Sequence, residues 1–476
     1  MKTVSLLAAG FLAAPLFAQL NVRPQTPAVV AIKDAHIVTV SGADLPTGTV
    51  VLRDGVIQEV GANVNIPADA WVIDGNGLTV YPGFMDGLST WGIPAAIPPT
   101  AGRAAGNAPQ VLPPGATPAA QSAPQGPDRG PEDRPQNYSF ERAADLVTPN
   151  DNRLEAVRAA GFTTAATFPN RGIFEGMGAL VNLAGERGRD MVILQPIGQQ
   201  ITFRTGSGGM GRAFPSSLMG NIAYVRQMYL DLDQYKRAKQ IYAAHSLGNR
   251  RPEYDHDLEG LAESPRVLLP ADEAQQIDRM LSFGRELKTP FVLYGLHEAY
   301  KRVDELKQAN IPVLVSLKWP EKPRDADPTD IPNYRDLVMR DQAPAVPGMF
   351  AKAGVKFAFY SDGVDTAPEL RRAIRKAIDA GLSRADAIRA LTLNVAQMYG
   401  VADQMGSIDK GKIANVVVIK GDVFDDRSNI EYVFVDGQQF QPSRQAQQGP
   451  PGGAGAGGRR TTPTPAVENG TEGGNN

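Results

Sequence analysis

Four histidines (His36, His245, His256 and His297) and no cysteine are the nitrogen and sulfur ligands this 476-residue chain offers a metal. The absence of thiols excludes disulfides, thiolate nucleophiles, iron–sulfur clusters and Cys-bound zinc. Any metal site must be built from that short list plus carboxylates. Asp255-His256-Asp257 is the densest such group, but it lacks EF-hand spacing and reads as a solvated charged loop. His36 falls in a strand-like run and reads as structural. His297 lies two residues past the apolar run PFVLYG. It reads as a rim or helix-start histidine, with a binding role as the alternative.

Polar residues at the ends of apolar runs are the other candidates. Gln195 follows MVIL, Thr167 closes a Thr/Ala-rich run, Lys318 follows IPVLVSL and Asp362 follows VKFAFYS. Lys318 beside Asp362 would form either a buried acid–base pair or an internal salt bridge. Burial would lower the lysine pKa and the carboxylate would oppose that. Phe203, Arg204 and Arg212 bracket a glycine-rich segment, RTGSGGMGR, without the spacing of a phosphate loop.

The elements that must position these residues are of two kinds. From Ala28 to Val80, short Val/Ile-rich alternating runs surround Asp54-Gly55, a two-residue hairpin turn, and a matching pair with Asp436-Gly437 returns near the C-terminus. Between Phe140 and Gly400, helical patterns alternate with apolar strands, which implies a parallel sheet covered by helices. Ser383 opens a helix whose apolar face is Ile388, Leu391, Val395 and Met398. Periodicity alone fits a (β/α)8 barrel and a doubly wound sheet equally well.

Residues 1–18 read as a secretory signal, with Lys2 before an apolar stretch, so the mature protein is expected to be secreted or periplasmic. No later run is long and apolar enough for a membrane span. Residues 92–137 carry 11 prolines among Ala, Gly and Gln and are expected to be disordered, as is the tail 441–476. With 48 basic against 51 acidic residues, there is no surplus charge for nucleic acid.

Local motifs decide the fold. Val80-Tyr81-Pro82-Gly83-Phe84-Met85-Asp86-Gly87 resembles the junction where amidohydrolase-superfamily enzymes pass from a small β domain into the first barrel strand. The stretch GLSRADAIRALTLNVAQMYGVADQMGSIDKGKIANVVVIKGDVFD resembles their last barrel helix and the return to the sheet. GFTTAATFPNRGIFEGMGALVNLAG and FPSSLMGNIAYVRQM are similar to the imidazolonepropionase-related branch. The resemblance implies an α/β fold: a (β/α)8 TIM-type barrel over 81–404, and a small β-sandwich domain formed from both chain ends, 27–80 plus 405–440.

The resemblance also implies a hydrolase acting on carbon–nitrogen bonds, with a divalent metal such as zinc activating water. The family's first-strand ligands fall at Leu88 and Thr90, and the fifth- and sixth-strand ligands at Pro270 and Gly295. None of these replaces an imidazole. Only Asp362 matches, at the eighth-strand position, where the family uses its carboxylate for metal and proton. One carboxylate cannot hold zinc, so no cofactor is expected unless a site is rebuilt around His297. Two functions follow: a hydrolase of small amides or cyclic amides using Asp362, or a non-catalytic binding subunit, as a homo-oligomer or paired with an active paralogue.

Overall fold

The computed structural model describes residues 27–94, 134–203, 215, 217–322, 331–425, 428–443 and 447. The segment 1–18, the glycine-rich segment with Arg204 and Arg212, and most of 92–137 and 441–476 lie outside them. The strands are β1 (Val29–Ile37), β2 (Leu45–Arg53), β3 (Val56–Gly61), β4 (Trp71–Asp74), β5 (Leu78–Pro82), β6 (Phe84–Ser89), β7 (Phe162–Thr167), β8 (Phe174–Met177) and β9 (Ala179–Asn182). They continue as β10 (Val192–Leu194), β11 (Gln199–Ile201), β12 (Val267–Ala271), β13 (Phe291–Gly295), β14 (Val313–Ser316), β15 (Phe357–Tyr360), β16 (Val416–Lys420), β17 (Asn429–Val435) and β18 (Gln438–Phe440).

The two chain ends share one β domain, because β5 pairs antiparallel with β16 from Leu78–Lys420 to Pro82–Val416. Its eight strands form a single hydrogen-bonded sheet, in the order β18-β17-β16-β5-β1-β2-β3 with β4 on β1, rather than two stacked sheets. The sheet curls until its hairpin turns meet. Asp54, Gly55, Asp436 and Gly437 all have positive φ, as Asp-Gly hairpin turns require. Val56 bridges Ile413, which closes the curl.

The αβ region differs from an all-parallel barrel. β6 and β7 are parallel, and so are β11 through β15, but β9 runs antiparallel to β7 and β8 antiparallel to β11. The cause is chain length. Residues 168–178, β8 among them, are all that join β7 to its partner β9, whereas a parallel crossover needs a dozen or more residues. The strands accordingly form a four-stranded sheet, β10-β9-β7-β6, and a six-stranded one, β15-β14-β13-β12-β11-β8. Their inward side chains still meet in one apolar cluster that includes Leu88, Phe168, Leu180, Leu268, Val292, Leu314 and Ala358.

Beside β15, the carboxylate of Asp86 in β6 takes the place of a ladder hydrogen bond. Its Oδ1 accepts from the Ser361 N–H (3.0 Å) and the Leu88 N–H (3.2 Å). Gly87 permits this close approach: a Cβ there would lie 2.5 Å from Leu314 Cδ2 and 2.8 Å from the Phe359 carbonyl oxygen. Gly87→Ala is therefore expected to lower stability by about 1–3 kcal/mol. The loss reads as a reduced urea midpoint, and an unchanged midpoint would contradict this packing.

Three expected boundaries move. The helix opened by Ser383, whose hydroxyl accepts from Asp386 N–H, breaks into Arg384–Ala390 and Leu393–Tyr399 around Thr392. At the end of the Pro-rich segment, Arg134 pairs with Asp255 (2.6 Å) and Asn137 bridges Phe174, so the fold reaches into 92–137. In the tail, Gln447 is buried: its side-chain amide bonds to both the N–H and the carbonyl of Ile430, and its own carbonyl accepts from Arg371.

Candidate functional site

Where β6, β11, β13 and β15 end, their side chains border a cavity of about 340 Å³. β6 contributes Leu88 and Ser89, followed by Thr90 and Trp91. Glu175 comes from β8, Gln200 from β11 and Thr202 from just beyond it. Tyr294 of β13, Tyr360 of β15 and Asp362 complete the opposite wall. In β13 and β15, period-2 alternation aims Val292 and Tyr294, and Ala358 and Tyr360, to the same side. The tyrosines thus sit one layer above the apolar plug, their rings edge to face at 6.1 Å.

Asp362 stands at the lip with positive φ (51°), in a turn ending β15. The Ser316 hydroxyl donates to its Oδ2 (2.7 Å), leaving Oδ1 without a protein partner among the described residues. Burial raises the pKa of Tyr360 well above its ordinary value, and Asp362, Tyr294 and Asp272 add to that rise. Tyr360 therefore remains a neutral hydrogen-bond donor. Tyr294 is held protonated in the same way, chiefly by burial, and donates to the Ile201 carbonyl (2.9 Å).

The pairing of Lys318 with Asp362 does not form. The chain leaves β14 at Ser316, and Lys318 N–H turns back to the Ser316 hydroxyl (3.0 Å). The Lys318 side chain is exposed and lines an outer groove with Trp319, Glu321 and Arg372. His297 is mostly buried beside the mouth, its Nδ1 2.6 Å from Asp272 Oδ1. That contact and the His297 main-chain N–H hold the Asp272 carboxyl below its ordinary pKa, although burial alone would raise it. His297 does not line the cavity, and its Nε2 is enclosed without a partner among the described residues. Thr167 is spent inside the fold, donating to the Trp91 carbonyl (2.7 Å). Glu175, Tyr294 and Tyr360 are the residues that sequence reasoning missed.

The positions expected to hold a metal do not converge as ligands. Leu88 lines the cavity with carbon. Thr90 accepts from Arg153 through both its hydroxyl (2.9 Å) and its carbonyl (2.8 Å), and Asp151 fixes that guanidinium at 2.7 Å. Both Thr90 oxygens are thus already taken by a guanidinium. Pro270 faces a neighbouring pocket, and Gly295 (φ 108°) turns the chain beside Asp272. Among the described residues, only Asp255, His256 and Asp257 bring three potential ligands together, and Arg134 already bonds Asp255 there. The donor set does not fit a histidine-bound divalent metal. Protein loaded with zinc, manganese or iron and then desalted is expected to retain well under one metal per chain by elemental mass spectrometry. One tightly held metal per chain would contradict that assignment.

Residues 273–440 match the amidohydrolase family. An 81-residue stretch is 37% identical to an adenine deaminase of Moorella thermoacetica, covering 16% of this chain and only 13% of that protein. An amidohydrolase from Thermotoga maritima shares the fold over 87% of this chain and all of its own, with a TM-score of 0.66 at 23% identity. A Xaa-Pro dipeptidase aligns over the same share of this chain and all of its own, with a TM-score of 0.50 at 16% identity. The sequence match to the amidohydrolase family is thus confined to residues 273–440, and the solved structures show a shared fold over most of the chain.

Proposed function

We propose that the protein hydrolyses a carbon–nitrogen bond of a small amide or cyclic amide in the 340 Å³ cavity, without a divalent metal centre. The observation that carries the reading is Asp362: one oxygen is anchored by Ser316, the other has no partner among the described residues, and Tyr360 lines the same cavity. Water adds to the carbonyl carbon as Asp362 Oδ1 takes its proton, and Tyr360 donates to the oxygen that gains charge. The C–N bond then breaks, and Asp362 returns the proton to the departing nitrogen. Family resemblance supports the bond class, and the similarity of residues 161–185 to the imidazolonepropionase-related branch supports a cyclic amide. The leader-like residues 1–18 support an exported protein.

The test is a turnover screen of amides and cyclic amides with chelator-treated protein. Hydrolysis that persists in chelator supports the reading. Hydrolysis that chelator abolishes and zinc restores refutes its metal-free mechanism. A second reading, a non-catalytic amide-binding subunit paired with itself or an active paralogue, is favoured by one observation: Leu88, Thr90, Pro270 and Gly295 stand at the expected ligand positions. Binding without turnover in the same screen selects it.

A further inference from the structure

Thr202 belongs to two compartments at once. On one side is the polar cavity with Asp362 and Tyr360; on the other is a pocket of about 200 Å³. Phe203, Ile222, Pro270 and Met280 give this second pocket apolar walls, with Gln276 and Arg279 also among its lining residues. Gln276 is already committed, since its Oε1 accepts from the Asp272 N–H (3.0 Å). Pro270 occupies the inward phase of β12, in step with Leu268, and lies one residue from that strand's end, so it faces the same side of the sheet as the apolar cluster beneath the polar cavity. Thr202 is itself held in place: its N–H donates to the Ile173 carbonyl (3.0 Å), and its hydroxyl lies 3.3 Å from the Tyr294 hydroxyl.

We propose that this pocket is a specificity subsite for an apolar, ring-sized substituent of the ligand whose amide head occupies the polar cavity. The proposal rests on the amide reading given above and names its substrate class: amides carrying an aryl or branched alkyl group a few atoms from the carbonyl. Size and chemistry agree, because an apolar cavity of about 150 Å³ already accommodates benzene. The proline is apt here. At the position where the resemblance expects an imidazole, it supplies apolar surface without a buried polar atom to satisfy.

The test is direct binding by calorimetry, independent of turnover, with acetamide, isovaleramide, phenylacetamide and benzyl alcohol. Phenylacetamide should bind about tenfold or more tighter than acetamide, with isovaleramide between them, since the added group leaves water for an apolar wall. Two variants should erase that gain: Ile222→Asp, which charges the wall, and Ile222→Trp, which fills the space yet stays apolar. Circular dichroism checks that each still folds. Equal affinities for acetamide and phenylacetamide would overturn the proposal, as would a phenyl advantage that survives both variants. If no amide binds but benzyl alcohol does, and Ile222→Trp abolishes it, the subsite stands and the amide head falls. If nothing binds, the subsite falls as well.

Discussion

Asp362→Asn is expected to abolish measurable amide turnover while leaving the fold intact. Asparagine keeps the size and shape of the side chain, and its carbonyl oxygen can still accept the Ser316 hydroxyl that now meets Oδ2 at 2.7 Å. It cannot take a proton from water. The loss should be about 10²–10⁴-fold in kcat, the usual contribution of a positioned general base. KM should change little, because the amide head keeps its other neighbours. Ser316→Ala separates positioning from chemistry: the base remains but its orientation is freed, so kcat should fall by less. Tyr360→Phe removes only the donor and should lower kcat with the tertiary structure preserved. Turnover of Asp362→Asn equal to that of the parent protein would sink the mechanism, whatever the substrate proves to be.

Much of this architecture was legible because it rests on short-range chemistry. Asp-Gly turns announce tight hairpins, and Val/Ile alternation marks strands with one face inward, so the composite β domain could be read from both chain ends. The reversed strand β9 was equally present, in the eleven residues between Thr167 and Ala179, yet the rhythm of αβ units argued for a parallel one. The Ser383 helix misled in the opposite way. Its apolar positions keep one period through Leu391 and Thr392 although the backbone breaks there.

At the site, Asp362 was recognisable from its place after an apolar strand. The tyrosines were not, because FVLYG and FAFY read as plain buried strands and only the phase of alternation turns Tyr294 and Tyr360 to the mouth. Lys318 shows the limit of that phase argument. It shares parity with Leu314 and Ser316, but β14 ends at Ser316 and the turn throws the lysine outward. Arg153 could not have been placed beside Thr90 from sequence, since 62 residues separate them and contact arises only from packing.

The second large expected effect is that replacing a buried acid stabilises the protein. Asp86 is fully enclosed; burial pushes its carboxyl from an ordinary 3.8 up to about 7, and nearby Asp362 adds to the rise. The Ser361 and Leu88 groups pull the other way without prevailing. The folded state therefore holds a proton that the unfolded chain releases near pH 4. Between those two values the native state binds more protons than the unfolded one, so stability must fall as pH rises through that window and level off above about 7. The whole interval is worth on the order of 4 kcal/mol. In Asp86→Asn the amide oxygen can keep the Leu88 and Ser361 N–H bonds now made by Oδ1. The amide nitrogen takes the place of Oδ2, which has no partner among the described residues. The variant is neutral at every pH, so it should match the parent near pH 4 and exceed it by several kcal/mol at pH 8. Urea midpoints of both proteins at pH 4, 6 and 8 measure this directly. An Asp86→Asn protein less stable than the parent at pH 8 would mean that the carboxylate is ionised in the fold, held by Ser361 and Leu88 more firmly than burial opposes it.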